Sequence, residues 1–384
     1  MTPSLNEKPS TPGFPVYCVE WADDETVILG GGGGPSKSGI SNKLVLAKVS
    51  RDAGTVEYIN ELTLSTEEEA PMTLALDREN QVLVTGINAS ISHLHAGKNE
   101  HCRVFSYADD KITLVKGKQA IDHVWDEDKA YPYQKYTSLS PDAEYLAICT
   151  TNDSSQSSRV INVFRFPSLE SIAALDIQGE VVDLDWGGND GRWLCIATTS
   201  ALLLYQLDLT GGSFNLVLQH TIHPPTDLAD IRFRAARFSP ASSPHQAIHA
   251  ILNTAKPGKG RKAAWVCTFG FLAGWTVMRK GKLSGKPVTT FDVSADGKLL
   301  AYGCSDLSIG VIDALTLKPL IKIPEAPGLT LTSLKFNPSA DLLIDNTLRI
   351  VVVPASFRSG LSFSPAVIAL LVLLLALVLA ATRR

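Results

Sequence analysis

Phe291-Asp-Val-Ser-Ala-Asp-Gly-Lys-Leu-Leu-Ala-Tyr-Gly-Cys-Ser-Asp306, with Ser308-Ile-Gly-Val-Ile-Asp313 close behind, reads as an alternating strand, a turn of Ser, Asp and Gly, and then an apolar strand. Related copies begin near Tyr17, Thr73, Thr137, Asp183, Ala236 and Ser333, so the pattern occurs seven times. Steps of about 42 to 64 residues match four-stranded propeller blades with loops of variable length. The expected fold is all-β, a seven-bladed WD-repeat-like β-propeller. A pair of β-sandwiches is the alternative, which seven repeats without a break in composition disfavour.

The repeat signature is degenerate. No Trp-Asp pair ends a strand, and only the copy at Phe291 approaches the consensus, through Ser305-Asp-x-Ser-Ile-x-Val-x-Asp313. The last copy is short: Asp341 to Pro354 leaves little room for a central hairpin and none for a fourth strand. The segment near Phe14 is therefore expected to supply the missing strand and close the ring.

At 384 residues and 45% hydrophobic content the chain can bury a large core. A net charge of −4 argues against nucleic acid as a partner. The one basic cluster, Lys256 to Lys262 with Arg279 to Lys282 after it, reads as a solvated hairpin tip or as a contact for anionic lipid or an acidic partner. Six scattered cysteines without a C-x-x-C pair fit buried thiols in a reduced compartment. Asn88-Ala-Ser and Asn152-Asp-Ser match the glycosylation sequon, which carries no meaning on the cytosolic side.

Residues 1–14 lack the apolar core of a secretory signal and read as a loose tail. The propeller is expected over residues 15–355, a juxtamembrane linker over 356–362, and a transmembrane helix over 363–381. Phe363 to Ala381 holds no charged residue and, at 1.5 Å per residue, covers about 28 Å. That places the expected chain in a thin, endoplasmic-reticulum-type bilayer as a single-pass protein with its propeller in the cytosol. Arg383 and Arg384 run against this orientation by charge bias, but a large folded domain is harder to translocate than a short tail.

Inside the first repeat, Gly30-Gly-Gly-Gly-Gly-Pro-Ser-Lys-Ser-Gly-Ile-Ser-Asn42 interrupts the hairpin between Glu25–Leu29 and Lys43–Ala47. A glycine run brings no side chain to pack and loses much backbone entropy on ordering, so it belongs where bare backbone must approach something closely. Phosphate met by N–H groups, a cation met by C=O groups, and a merely flexible insert are the three readings. A P-loop fails on spacing, because Lys37 follows Ser36 and the chain goes on into strand-like Leu44-Val-Leu46. Ile40 stands out as an apolar residue at an otherwise polar tip.

The order Gly31 to Gly34, four variable residues, then Gly39, Ile40, Asn42, Lys43 and Leu44 resembles the potassium loop of the Sec-twelve (prolactin regulatory element-binding protein-like) exchange factors. Members of that family sit in the endoplasmic-reticulum membrane and load GTP onto the Sar-type small GTPase that starts COPII vesicle formation. The resemblance implies a potassium ion held mainly by backbone carbonyls along Gly31, Gly32, Gly33, Gly34, Gly39 and Asn42. It implies Ile40 and Asn42 as the residues that carry exchange: Ile40 as an apolar wedge, and Asn42 bonding to the partner or helping to hold the ion. Lys37 is a further candidate contact.

Exchange needs no covalent chemistry, and the sequence holds no hydrolase or transferase motif. His93, His95, His101 and Cys102 do not have the spacing of a zinc module and read as a solvated loop. The rival function is a non-catalytic membrane-anchored propeller scaffold, which would tolerate replacing the loop by a short turn. DNA binding is a weaker rival, which the acidic balance opposes.

Overall fold

The computed structural model describes residues 12–34, 39–120, 126, 131–151, 158–188, 190–209, 214–243, 246–255, 263–324 and 330–357. Lys37, the Asn152 sequon, the Lys256 to Lys262 cluster and the apolar Phe363 to Ala381 segment lie outside these. Among the described residues no helix is long and apolar enough to cross a membrane.

Among the described residues seven antiparallel sheets follow one another along the chain, six of four strands and the last of three. The innermost strands begin where the seven repeats were read: β1 (Val16–Trp21), β5 (Leu74–Asp77), β9 (Gln134–Leu139), β13 (Val181–Gly187), β17 (Ile231–Phe238), β21 (Val288–Val293) and β25 (Leu334–Phe336). The turn chemistry explains the recurrence. Ser140 Oγ donates to Asp142 and accepts the Tyr145 N–H at 2.9 Å, and Ser294 Oγ does the same with Asp296 and the Leu299 N–H at 3.0 Å. A Ser-x-Asp triplet thus turns the first strand of a blade into the second by satisfying backbone groups that would otherwise be orphaned.

Buried carboxylates on the inner strands join neighbouring blades. Asp183 and Asp185 accept the backbone N–H groups of Ala236 and Phe238 at 3.0 and 2.7 Å, and Asp292 accepts that of Phe336 at 2.9 Å. Arg237 pairs with Asp183, and Lys335 with Glu20 at 2.5 Å, so these cations offset part of the carboxylate charge on the inner strands.

Closure differs from the expectation. Among the described residues the segment at Phe14 adds no strand to the seventh blade. It leads into β1, and the seventh blade has three strands among the described residues: β25, β26 (Leu342–Asp345) and β27 (Ile350–Val352). The ring is shut by packing: Phe14, Val16 and Trp21 meet Leu342, Ile344 and Ile350 in one apolar cluster. The Trp21 indole N–H donates to Lys335 O at 3.0 Å, and Thr332 Oγ donates to Tyr17 O at 3.0 Å. Apolar contact and side-chain bonds do here what a shared strand was expected to do.

All six cysteines are buried thiols outside any disulfide. Arg279 to Lys282 lie not at a hairpin tip but in an outer strand, Thr276–Ser284, where Lys280 pairs with Asp227. Asn88 is buried and hydrogen-bonded to Glu69 and to Pro132 O, so its amide is occupied in the folded chain.

Candidate functional site

Connections between the second and third strands of each blade leave the same face as the connections between blades. On that face, three segments meet at blades 1 and 2. The first is the glycine-rich loop between β2 (Thr26–Gly31) and β3 (Lys43–Ser50). The second is the strap from β4 (Thr55–Thr63) to β5. The third is the connection from β6 (Val82–Gly86) to β7 (Cys102–Ser106).

The glycine run is divided. Gly30 and Gly31 belong to β2 and pair with Cys18 and Val16 on one side and with Leu44 and Lys43 on the other. Contrary to the expectation that the run has no packing value, its start is among the most crowded backbone in the chain. A Cβ at Gly31 would overlap Pro15 O, and one at Gly32 would overlap Asn42 Oδ1 and the backbone of Ser41. The close approach inferred from the glycines is, for these residues, an approach to the chain itself: to the N-terminal segment at Gly31 and to the loop's other arm at Gly32.

Asn42 is buried and holds the base of the loop. Its Oδ1 accepts the Gly34 N–H at 2.9 Å, and its Nδ2 donates to Gly34 O at 3.1 Å and to Glu68 O at 2.6 Å. Its carbonyl accepts the Leu64 N–H at 2.8 Å, while the other arm is tied by the Gly32 N–H to Pro15 O at 2.9 Å. Both amide hydrogens are therefore spent inside the chain, and the side chain acts on the loop's shape. Ile40, by contrast, is 40% exposed. Lys43 turns away from the tip to pair with Glu61 at 2.9 Å and lies over the Phe14 ring, and Leu44 is core.

Sequence reasoning missed Glu68 and Arg103. Glu68 gives its carbonyl to Asn42, accepts the Ser65 N–H at 3.0 Å, and pairs with Arg103 Nη1 at 2.6 Å. Glu68 belongs to a plain acidic run and Arg103 lies 35 residues further on, so no local pattern connects them. The histidine segment also departs from a solvated loop: Ile91–His95 is a short helix, α1, with His93 and His95 exposed, while His101 is buried. His101 Nε2 accepts the Ala120 N–H at 3.2 Å, and burial lowers its pKa to about 4.

No model of a known protein family matches the chain. Over 340 residues it is 24% identical to the putative guanine nucleotide-exchange factor SED4 of Saccharomyces cerevisiae, covering 88% of this chain but 30% of that protein. Over 360 residues it is 23% identical to the guanine nucleotide-exchange factor SEC12 of Candida glabrata, covering 92% of this chain and 73% of that one. The Rattus norvegicus SEC12 is 24% identical over 353 residues, with 85% and 82% covered. In fold the chain is similar to the C-terminal WD40 domain of Sif2, with a TM-score of 0.59, 12% identity, and 92% and 99% covered. It is also similar to Raptor of Chaetomium thermophilum, with a TM-score of 0.63, 11% identity, and 92% and 29% covered. At such identities the solved structures bear on the propeller alone. The sequence relatives cover most of the chain, and on that ground it is similar to the SEC12 and SED4 guanine nucleotide-exchange factors, which supports a place in the Sec12 family.

Proposed function

We propose that the chain catalyses GDP/GTP exchange on a Sar-type small GTPase at the endoplasmic-reticulum membrane, starting COPII vesicle formation, with the apolar Phe363 to Ala381 segment as its anchor. The observation that carries this reading is the division of labour at the loop: a buried Asn42 fixes the base while an apolar Ile40 is left exposed.

A GTPase holds its nucleotide through phosphate-binding amides, a Lys and Mg²⁺, and an exchange factor works by binding the nucleotide-free form more tightly. Ile40 would enter an apolar recess opened in the switch region. Burying such a side chain contributes about 1.5–3 kcal/mol, or roughly ten- to a hundredfold in rate if all of it is realised in the nucleotide-free complex. Asn42 would act one step back, by holding the arm that presents Ile40.

The residues present fit a monovalent cation at the loop. From Gly31 to Asn42 the sequence offers neutral oxygens and no carboxylate, and two carbonyls, of Gly34 and Glu68, already converge on the Asn42 amide. Neutral carbonyl shells suit potassium, whereas calcium and magnesium sites draw on carboxylates. The backbone of Gly31 to Gly34 and Gly39, with Asn42, would hold the ion, and its binding would offset the entropy of ordering the loop.

The test is nucleotide release from a purified Sar-type GTPase with the full chain, in potassium and then in lithium. Acceleration in potassium, weaker in lithium, is expected, with Ile40→Ala slower by about tenfold at an unchanged melting temperature. A chain whose loop is replaced by a short turn and still stimulates release at the original rate would leave only the scaffold reading.

A further inference from the structure

The Asn42 amide bridges the two arms of the loop, but Gly34 belongs to the loop itself. The one bond from that amide to the fixed framework runs to Glu68 O. It also sets the plane of the amide. With Nδ2 facing Glu68 O, Oδ1 faces the Gly34 N–H; turned over, the oxygen would meet carbonyls and the NH₂ would meet an N–H. Where the Glu68 carbonyl stands therefore decides whether Gly34 is held.

That carbonyl is held from its own side chain. Glu68 Oε2 accepts the Ser65 N–H at 3.0 Å, and the Glu68 N–H donates to Ser65 O at 3.1 Å, closing a tight turn. Glu68 Oε1 meets Arg103 Nη1 at 2.6 Å, and Arg103 Nε donates to Glu100 O at 3.2 Å. The two side chains are 20% and 12% exposed, so the pair is largely shielded from water. Arg103 stands on β7, an interior strand of blade 2 paired on both sides, which makes it a rigid post. The next residue, Glu69, is fixed by Asn88 through a 2.9 Å side-chain bond and a 3.2 Å backbone bond.

We propose that Glu68 and Arg103 are positioning residues for exchange: a charge pair from blade 2 that locks the blade 1 to blade 2 strap, fixes the Glu68 carbonyl against Asn42, and so sets where Ile40 stands. This deepens the exchange reading and rests on it. Neither residue touches the partner in this account. Their effect passes through Asn42, and it falls on the maximal rate of nucleotide release more than on the concentration that gives half of it.

The experiment pairs two readouts on the full chain in potassium. One is stimulated nucleotide release from the GTPase. The other is amide-hydrogen exchange of peptides covering residues 30–44, which needs no partner. Arg103→Ala and Glu68→Gln should raise hydrogen exchange in the loop by about tenfold, leave the β2–β3 ladder protected, and lower maximal release by about five- to tenfold. Arg103→Lys, which keeps the charge, should restore most of both. Unchanged loop protection in Arg103→Ala and Glu68→Gln overturns the proposal, as does a loss that Arg103→Lys does not reverse. If the unaltered chain fails to stimulate release at all, the exchange reading falls, while loop protection still shows whether the charge pair holds Asn42.

Discussion

Two neighbouring connections on one face of the ring are built in opposite ways. Residues 87–101 of blade 2 fill their own interior. Asn99 donates to Asn88 Oδ1 at 3.0 Å and accepts the Ala89 N–H at 3.0 Å, Leu94 of α1 is buried, and His101 closes the base through its carbonyl to the Ile87 N–H. In blade 1 the described residues 32–34 and 39–42 are four glycines, Ile40, Ser41 and Asn42, and the Asn42 side chain clamps the base. The first connection is held by bonds within itself and by bonds from Asn88 and Asn99 to Glu69, Pro132 and Gln119. The second is clamped at its base by the Asn42 amide.

The sharpest way to break that comparison is Gly32→Ala. Gly32 sits at φ +144°, and a methyl there would drive into Asn42 Oδ1, so the clamp and the new Cβ cannot coexist. The expected loss is about 3 kcal/mol at the loop, seen as stimulated nucleotide release falling by a hundredfold or more. Thermal unfolding should move far less, because the ladders on either side stay paired. Near-normal release in Gly32→Ala would mean that the base of the loop tolerates a second shape.

Asn99→Ala probes the other connection. It leaves the Ala89 N–H and Asn88 Oδ1 buried without their partner, which costs roughly 1–3 kcal/mol of folding stability. The hydrogen bonds of Asn99 run to Asn88, Ala89 and Gln119 and not to Asn42 or Glu68, so nucleotide release at a temperature where the chain is folded should stay within about threefold of the original. A loss of release as large as that of Gly32→Ala would show that the two connections act as one unit.

Legibility in the sequence followed the same division. The seven inner strands could be read because each repeat carries its own turn chemistry, as at Ser140 and Ser294, within a few residues of the strand it ends. Asn42 stands out because it belongs to a compact motif, and the structure places it at the base of the loop. Ring closure could not be read, because a three-stranded last blade invites a borrowed strand, and nothing local says that Phe14 and Trp21 will instead pack against Leu342 and Ile350. The Glu68 to Arg103 pair is a meeting in space between a strap and a strand of the next blade. His101 looked solvated because its neighbours in sequence are polar, yet the ring turns its imidazole inward.

That imidazole gives the smallest prediction and separates the two connections by pH. Burial holds His101 at about 4 in the folded chain, against an ordinary value near 6.5 when unfolded. The unfolded chain therefore takes the proton first, so the contribution is fully present above about pH 6.5 and is lost as the pH falls from there toward 4. His249, also buried and lowered to about 4, acts in the same direction. Asp185, which burial pushes up to about 7, acts in the opposite one, because its folded form gains a proton as the pH falls. Comparing the unaltered chain with His101→Gln removes the other two terms: between pH 7.5 and 5.5 the stability gap between them should shrink by about 1.4 kcal/mol, measured by denaturant unfolding. Over the same range, hydrogen exchange should loosen in residues 87–101 before it loosens at the base of the glycine-rich loop, since the Asn42 amide carries no titrating group. A gap that does not move with pH would mean that water reaches His101 in the folded ring, and that the blade 2 connection is less closed than its packing indicates.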